Sequence, residues 1–524
     1  MKIALIQIDL VLGARILLSL LKEKGFNAKL LQINIKYTDS LSEEDLNIIY
    51  DYVSDSEVVG LSFNTFYAPI AELVAVYLKN KGIRHIIVGG NHATALPDEV
   101  IKYSDIVIKF EAEKSLTRVL DALNDKSKLS NIQGIVYKDD NKIFHSDSSP
   151  EIEWDLDKIP FQSVDTDLIK FFDLKKKLYT PQKAKLFPSM YNCYFILASR
   201  GCPFSCTYCS VTLYKSLDKD FNKVRKMSIN RIIEEMKYAL KNGFESFYIA
   251  DDNFFSFNLE KIDIFCREYK RRIRVPFSVV GLNPNNFRSP VAEKKLRLLL
   301  DSGLTGVRIG VQSGSNKTLN IFKRGYKAEE VVKLLEPLDR NRKTIWDPPY
   351  DKLHIAVDFI CDSVWESDED KIATIRLAQR LLKQFTIFFY TLVYLPGTEI
   401  FYQAVERNMI DNNAKDIYMK GIAGVEDNIF NRTLFLIAIT KEREVNLSEK
   451  LVDHILDLAN SNSKLAEDII DSVIECIKGI EKHHNINLSR VSIHPYLTGF
   501  HGYTKTRGDI GKKVLFRSYH EPYG

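Results

Sequence analysis

The sequence predicts an α/β protein made of two successive strand–helix series, each built on a parallel sheet, followed by a mainly helical C-terminal region. Three observations carry this reading. Short apolar runs alternate with helically spaced apolar residues over the first 125 positions. The alternation restarts near Tyr194, and after about residue 400 helical spacing takes over.

In the first series the strand candidates are Lys2 to Ile8, Ala28 to Asn34, Glu57 to Phe63, His85 to Gly89 and Asp105 to Phe110. Ala14 to Lys24 and Ala71 to Lys81 carry helical spacing, and Gly25 and Gly82 stand where helices commonly stop. This predicts an open, doubly wound, Rossmann-like sheet whose binding crevice lies at the carboxyl ends of its strands. Those ends carry Ser62-Phe63-Asn64-Thr65 and Gly89-Gly90-Asn91-His92. A hairpin is expected from Ile132 to His145, and residues 148–190, with four prolines and many charges, read as an extended linker.

In the second series the strands expected are Tyr194 to Ser199, Ser246 to Asp251, Val275 to Gly281, Gly306 to Gln312, His354 to Ile360 and Thr386 to Tyr394. The clearest helix has Ile229, Ile232, Ile233, Met236, Ala239 and Leu240 on one face and ends at Gly243. Six strand–helix units are too few to close an eight-stranded barrel, so a partial six-unit barrel is predicted. The chain divides into residues 1–147, a linker 148–190, a core 191–405 and a mainly helical region 406–524.

Composition excludes several classes. Of 524 residues, 45% are hydrophobic and 27% charged, as in ordinary globular proteins and unlike disordered or collagen-like chains. Lys plus Arg at 73 against Asp plus Glu at 69 leaves +4, no bulk footprint for nucleic acid or anionic lipid. No stretch approaches the roughly 20 apolar residues that span a bilayer. The apolar start, Ile3 to Leu12, is interrupted by Asp9 and followed by Arg15, so it reads as a buried strand entering a helix rather than a signal peptide. A cytoplasmic location is expected, where thiols stay reduced. Seven cysteines are too few for a disulfide scaffold.

Three of the seven, Cys202, Cys206 and Cys209, fall within eight residues at a C-x3-C-x2-C spacing. A loop this short can wrap three corners of a cubane. Four irons usually take four protein thiolates, so three leave one iron open to an outside ligand. The alternative is a structural zinc with its fourth ligand elsewhere. The nearest histidine in sequence is His145, and no second C-x2-C pair occurs.

The segment Arg200-Gly201-Cys202 to Cys209-Ser210, with aromatic Tyr208 before the last cysteine, resembles the signature of the radical SAM (S-adenosylmethionine) superfamily. The resemblance continues in Val224-Arg225-Lys226-Met227-Ser228, Ala250-Asp251-Asp252-Asn253-Phe254, Ile309-Gly310-Val311-Gln312-Ser313-Gly314 and Tyr394-Leu395-Pro396-Gly397-Thr398-Glu399, over residues 192 to about 405. It implies a [4Fe-4S] cluster on Cys202, Cys206 and Cys209. SAM would bind the open iron and be cleaved reductively to methionine and a 5'-deoxyadenosyl radical, with an electron donor such as flavodoxin or ferredoxin.

The first series resembles the cobalamin-binding module that precedes this core in one large subgroup. The matching words are Gly13-Ala14-Arg15-Ile16-Leu17, Val59-Gly60-Leu61-Ser62-Phe63, Val88-Gly89-Gly90-Asn91-His92 and Ile132-Gln133-Gly134-Ile135. Two departures stand out. Phe110-Glu111-Ala112-Glu113 replaces the subgroup's frequent Gly-Glu-Gly-Glu, and the cobalt-ligating Asp-x-His-x-x-Gly motif is absent. The resemblance thus implies cobalamin without a protein histidine below cobalt, held by Ser62, Asn64, Thr65, Gly89, Gly90, Asn91, His92 and Glu111. His92 itself reads as a loop residue near the corrin, a turn residue or a ligand. An empty sheet serving as a docking platform is the alternative.

For SAM, the resemblance and the strand-end rule for barrels point to Tyr208, Arg225, Asp251, Asp252, Ser278, Gln312, Ser313 and Leu395. Arg225 would pair with the SAM carboxylate or form a surface salt bridge. Asp251 and Asp252 would bind SAM or cap a helix, with Asn253 competing for the cap. The turn Leu395-Pro396-Gly397 would meet adenine through its backbone. Asp358 and Cys361 lie on the fifth strand, and Cys361-Asp362-Ser363-Val364-Trp365-Glu366 departs from the Gly-Pro-Glu-like turn of many relatives, which would reshape the substrate pocket, with Trp365 itself read as an ordinary core residue. His483, His484, His494, His501 and His520 fit no standard ligand set, and Lys505 to Arg517 reads as a solvated face.

Residues 1–192 contain no cysteine, so the extra N-terminal cluster of methylthiotransferases cannot form. Cys193, Cys266, Cys361 and Cys476 are too scattered for an auxiliary cluster. The expected function is a cobalamin-dependent radical SAM enzyme that methylates an unactivated carbon of a small-molecule or natural-product substrate. The alternatives are ring closure or rearrangement with the same cofactors, or a non-catalytic cobalamin- or metal-binding protein.

Overall fold

The computed structural model of the chain describes residues 1–8, 12–139, 142–146, 149–186, 192–348, 350–381, 385–410, 425–442, 447–461, 463–483 and 514–515. Its first sheet has nine strands: β1 (Lys2–Ile8), β2 (Asn27–Ile33), β3 (Val58–Ser62), β4 (His85–Gly89), β5 (Ile106–Ile108), β6 (Ile135–Asp139), β7 (Lys142–His145), β8 (Ile169–Asp173) and β9 (Lys177–Tyr179). They lie in the order β7-β6-β5-β4-β3-β1-β2-β8-β9. β1 to β5 and β8 run parallel, while β6, β7 and β9 are antiparallel additions at the two edges.

The central strands are nearly unbroken apolar runs because helices cover both faces. On one face Ile3, Leu5, Leu30 and Ile87 pack with Ala14, Leu18 and Leu21 of the helix Gly13–Glu23. On the other, Ala4, Ile6, Leu31 and Val88 pack with Leu46 and Ile49 of Glu43–Val53 and with Ala71, Val74 and Leu78 of Ala68–Asn80. The chain leaves β1 toward β2 on one side and reaches β3 on the other, which opens a crevice at the β1/β3 carboxyl ends.

Residues 148–190 are more than a linker. Their β8 pairs with β2, and Ile169, Phe171 and Phe172 are fully buried there. That apolar run is short and flanked by charges, so only its pairing with β2 reveals it as strand. Buried Arg15 ties the same segment down by donating to the Leu186 carbonyl and, at 2.8 Å, to Gln32 Oε1.

The second sheet holds β10 (Cys193–Ile196), β13 (Ser246–Ile249), β14 (Phe277–Leu282), β15 (Leu304–Gln312), β16 (His354–Cys361) and β17 (Phe385–Thr391), six parallel strands in that order. A small hairpin, β11 (Ser199–Arg200) with β12 (Arg225–Lys226), flanks the cysteine loop. Phe247, Phe277, Val279, Val307, Ile309, Ile355, Val357 and Ile387 make one face wholly apolar and buried, and the helices that follow the strands cover it. The helix Ile229–Lys241 buries Ile229, Ile232, Ile233, Met236 and Ala239, and the Ser228 side chain caps it by accepting from Arg231 N. Its apolar core is continuous with one face of the first sheet, so the two units share a core.

Beyond residue 425, helices Ile429–Glu442, Glu449–Ser461 and Ser463–His483 form a small core of their own around Leu436, Ile439, Ile455 and Ile470. Phe435 meets Phe389 of β17 at 6.2 Å, which docks this region on the last strand of the barrel. β18 (Val425–Glu426) and β19 (Val514–Leu515) pair antiparallel. His484, His494, His501, His520, the His483 side chain and Lys505 to Arg517 apart from β19 lie outside the described residues. Among the described residues, no helix is long and apolar enough to cross a membrane.

Candidate functional site

The cysteine loop follows β10 and the β11 strand at the carboxyl end of the second sheet. All three thiols are free, Cys206 is buried, and Cys202 and Cys209 are partly accessible. Burial pushes the Cys202 thiol up to about 11 and the Cys209 thiol up to about 12. The loop is held by its backbone: Cys209 N donates to Cys206 O at 3.1 Å, Thr212 Oγ1 to Cys206 O at 3.0 Å, and Lys215 Nζ to Phe204 O at 2.7 Å. No three His, Cys, Asp or Glu side chains among the described residues converge as a single-ion site requires. A four-iron cluster makes no such demand, because each thiolate binds a different corner.

Arg324 closes the loop from the far side. Its Nη1 donates to Cys206 Sγ at 2.9 Å and to the Tyr208 hydroxyl at 3.1 Å, and its Nη2 donates to the Gly310 carbonyl. The guanidinium is buried, so the loop carries a fixed cation against its central thiol. Tyr208 sits edge-on to Phe322 at 5.0 Å, and Thr207 Oγ1 donates to Ile321 O at 2.8 Å.

The two aspartates at the end of β13 divide their work. Asp251 is buried and accepts from Ala198 N and Ser199 Oγ, both at 2.6 Å, so it braces the strand entering the loop. Asp252 accepts from Gly201 N at 3.0 Å and faces open space. Burial pushes the Asp251 carboxyl up to about 7, against the pull of the Ser199 and Ala198 donors. The folded chain therefore holds this proton more tightly than the unfolded chain. The linked stability is present below the ordinary value of 3.8 and lost as pH rises through about 7. Glu366, pushed up by burial to about 7, acts in the same direction. Asp251→Asn should accordingly flatten, without abolishing, the fall in thermal midpoint between about pH 4 and 7. A slope equal to wild type in a pH series of melting curves would contradict this.

Between the two units lies a cavity of about 360 Å³. The first sheet contributes Leu5, Ile6, Gly60, Leu61, Ser62, Gly89, Gly90 and Asn91 from its strand ends, and Gly13 and Ala14 from the first helix. The second unit contributes Ser199 to Gly201, Ser210, Val211, Tyr214, Phe221 and Asp252. Small residues make the room. A Cβ on Gly13 would meet nothing within 4 Å, whereas Gly90, at φ +107°, would bring one to 3.1 Å from Phe63 O. Phe110 stacks on Phe221 at 5.1 Å, and Tyr214 packs against both and donates to Asn91 Oδ1 across the cavity. Among the described residues of the wall, none is His, Cys or Met.

An ion-pair network clasps the rim. Glu111 accepts from Arg200 Nη1 at 2.8 Å and from both terminal nitrogens of Arg225, and Arg200 Nη2 reaches Glu113 at 2.7 Å. Arg225 also donates to Glu153 O at 2.7 Å. Burial alone would raise the Glu111 carboxyl. The charges of Arg200 and Arg225 outweigh it and hold the group below its ordinary value.

Residues 196–346 match the family model of the Radical SAM superfamily. The matched segment carries the three-thiol loop, so this part of the chain is a radical SAM domain. An uncharacterized methyltransferase of Pyrococcus horikoshii is 26% identical over 388 residues, 72% of this chain and 76% of that protein. The bacteriochlorophyllide d C-8(2)-methyltransferase of Chlorobaculum tepidum is 22% identical over 480 residues, 88% of this chain and 94% of that protein. Among solved structures, the cobalamin-dependent S-adenosylmethionine radical enzyme OxsB with aqua-cobalamin and S-adenosylmethionine bound shares the fold, with a TM-score of 0.56 and 18% identity over 86% of this chain. The chain spans 62% of that structure's length.

Several residues expected at the sites stand elsewhere in this radical SAM fold. Ser62, Gly89, Gly90, Asn91 and Glu111 line the shared cavity; Asn64, Thr65 and His92 are absent from its wall. Asn64 instead caps the short turn Thr65–Tyr67 by accepting from Phe66 N at 3.1 Å, and Thr65 is buried with that turn. His92 follows Asn91 on a helix, so it turns away from the cavity and packs 5.6 Å from Phe63, fully buried. Burial pulls its imidazole down to about 4, which keeps it neutral near pH 7.

In the radical SAM core, Arg225 meets Glu111 at the cavity rim, and Asp251 acts as a brace. Ser313 is buried, with Thr374 Oγ1 at 3.1 Å and Ser315 N at 3.1 Å. Gln312 holds a left-handed φ of 76° and lies close over Gly310. Leu395 is partly buried and packs against the apolar core. Cys361 is buried, and burial pushes its thiol up. Sequence reasoning missed Arg324, Arg200 and Tyr214. The only local signal for Arg324 was a basic residue beside Gly325, itself at φ +71°.

Proposed function

We propose that this chain is a cobalamin-dependent radical SAM enzyme that methylates an unactivated carbon of a small molecule. The observation that carries it is the shared cavity, which joins the switch point of the first sheet to the cysteine loop of the second. Two relatives bear methyltransferase names, and a solved neighbour of the same fold holds aqua-cobalamin and SAM, which supports the reading. Cys202, Cys206 and Cys209 would hold a [4Fe-4S] cluster, and Ser62, Gly89, Gly90 and Asn91 would cradle cobalamin. Among the described residues, the wall offers that cofactor no His, Cys or Met side chain as a cobalt ligand.

When bound, the cluster supplies the electron that cleaves SAM, and cobalamin carries the methyl group. The chain's own residues do the rest. Arg324 would offset the negative charge of the thiolates. Asp252, a carboxylate open to the cavity beside Cys202, can accept from the SAM ammonium. Phe110, Tyr214 and Phe221 line the cavity with packed rings and would limit water there.

The test is to incubate anaerobically reduced protein with cobalamin, methyl-labelled SAM and the small-molecule fraction of the source cells. Label in a product together with 5'-deoxyadenosine is the expected result. An unlabelled product formed with 5'-deoxyadenosine would point to ring closure or rearrangement. Absence of 5'-deoxyadenosine overturns the enzyme reading.

A further inference from the structure

Arg324 is a buried cation that meets no carboxylate among the described residues. Its Nη1 donates to Cys206 Sγ at 2.9 Å and to the Tyr208 hydroxyl at 3.1 Å, its Nη2 to the Gly310 carbonyl, and its Nε to the Tyr326 hydroxyl at 3.3 Å. Other buried guanidiniums of the same unit are paired differently: Arg225 with Glu111 and Arg231 with Glu235. Burying a charge without a counter-charge is costly, so the fold calls for an anion at this point. The group placed to supply it is the Cys206 sulfur as a thiolate.

The turn that carries Arg324 is fastened independently of that sulfur. Lys323 and Gly325, on either side, hold left-handed φ of 52° and 71°. Arg324 N donates to Leu319 O at 2.9 Å, and Arg324 O accepts from Asn285 Nδ2 at 2.7 Å. Thr207, between Cys206 and Tyr208, ties the cysteine loop to the same turn. Its N donates to Phe322 O at 3.4 Å and its Oγ1 to Ile321 O at 2.8 Å. Backbone contacts on both sides thus fix the cation relative to the central thiol, whatever the sulfur itself binds.

We propose that Arg324 sets the reduction potential of the iron–sulfur cluster, raising it by holding a fixed positive charge and a donor against one of the three thiolate sulfurs. In the step concerned, one electron passes from an external low-potential reductant to the cluster. No bond forms or breaks, the reductant is oxidised, and the thiolate-bound cluster becomes more negative. A cation that does not move stabilises the more negative state more, and burial weakens the screening that would dilute the effect. Arg324 acts through the Cys206 sulfur, so it is a positioning residue. The inference rests on the radical SAM enzyme reading, which puts the cluster on this loop.

The test is a potentiometric titration with dithionite, followed by EPR, on the full anaerobically reconstituted chain without SAM or cobalamin. Arg324→Gln removes the charge but keeps an amide donor. It should lower the equilibrium constant for one-electron reduction about tenfold, a midpoint about 59 mV more negative. Arg324→Lys keeps the charge and loses the planar fork, so its constant should fall less, about threefold. Tyr326→Phe removes the Nε acceptor and leaves the cation, and its midpoint should equal that of wild type. Omitting SAM separates this role from any contact with that cofactor. A wild-type midpoint in Arg324→Gln, a shift that appears only once SAM is added, or a shift in Tyr326→Phe as large as in Arg324→Gln overturns the proposal. Should Arg324→Gln retain no iron, Arg324→Lys decides: a lowered constant supports the role, and a wild-type constant overturns it. A wild-type chain that yields no four-iron EPR signal overturns the cluster reading itself, whereas an intact signal with unshifted midpoints overturns the role of Arg324 alone.

Discussion

Cys206→Ala should reduce the iron retained after anaerobic reconstitution from about four atoms per chain to background, and 5'-deoxyadenosine formation should fall below detection. The reason lies in the loop. A thiolate at Cys206 is its central and most buried ligand candidate, and Arg324 is aimed at it from 2.9 Å. Folding should survive the change, because Arg324 keeps its bonds to Tyr208 and the Gly310 carbonyl. Cys266→Ala is the matched control. That thiol is buried on the helix Leu259–Arg272, outside the cysteine loop, and iron should be retained. Iron and sulfide assays with the EPR spectrum of the reduced protein would decide the matter, and equal iron in both variants would refute the assignment.

The second large effect is expected at Glu111. Glu111→Ala removes the carboxylate that two arginines share at the cavity rim, leaving Arg225 with the Glu153 carbonyl and Arg200 with Glu113. Stripping one partner from a largely buried ion network typically costs about 3–5 kcal/mol, so the thermal midpoint should drop by several degrees. Glu111 is held below its ordinary value of 4.5 in the fold, so its contribution is present above that pH and lost as pH falls through the folded value. The variant should therefore differ most from wild type near neutrality and converge with it in acid. Cobalt retained after gel filtration should also fall, since the network joins the two walls of the cavity. A midpoint within a degree of wild type at pH 7, read by calorimetry, would remove the network from this role.

How far the chain could be read before folding differs from residue to residue. The central strands of the first sheet were legible because a parallel sheet covered on both faces demands nearly continuous apolar runs, and Lys2–Ile8 is of that kind; Leu304–Gln312 was legible instead from its alternation of buried apolar residues with partly accessible ones. The cysteine loop was legible because its three thiols lie within one short segment, where spacing along the chain is also spacing in space. β8 escaped notice because a five-residue strand among charges has no local signature; it becomes a strand only when β2 lies beside it. Asn64, Thr65 and His92 occupy the expected strand ends yet face a turn or the core. A strand end locates the backbone, and the rotation of the next turn decides where each side chain points.

The longest-range features were beyond any local pattern. Arg324 stands 118 residues from Cys206, and Arg225 stands 114 from Glu111. Arg308 of β15 bonds Asp358 of β16 and Tyr390 of β17, so that cluster is drawn from three different strands. Periodicity and ligand spacing are properties of consecutive residues, so they identified two sheet units and one three-thiol loop from the order of amino acids alone. Which cation meets the central thiol and which carboxylate joins the units required the packed fold. Each depends on distances between segments that approach one another only after the sheets have formed and stacked their helices.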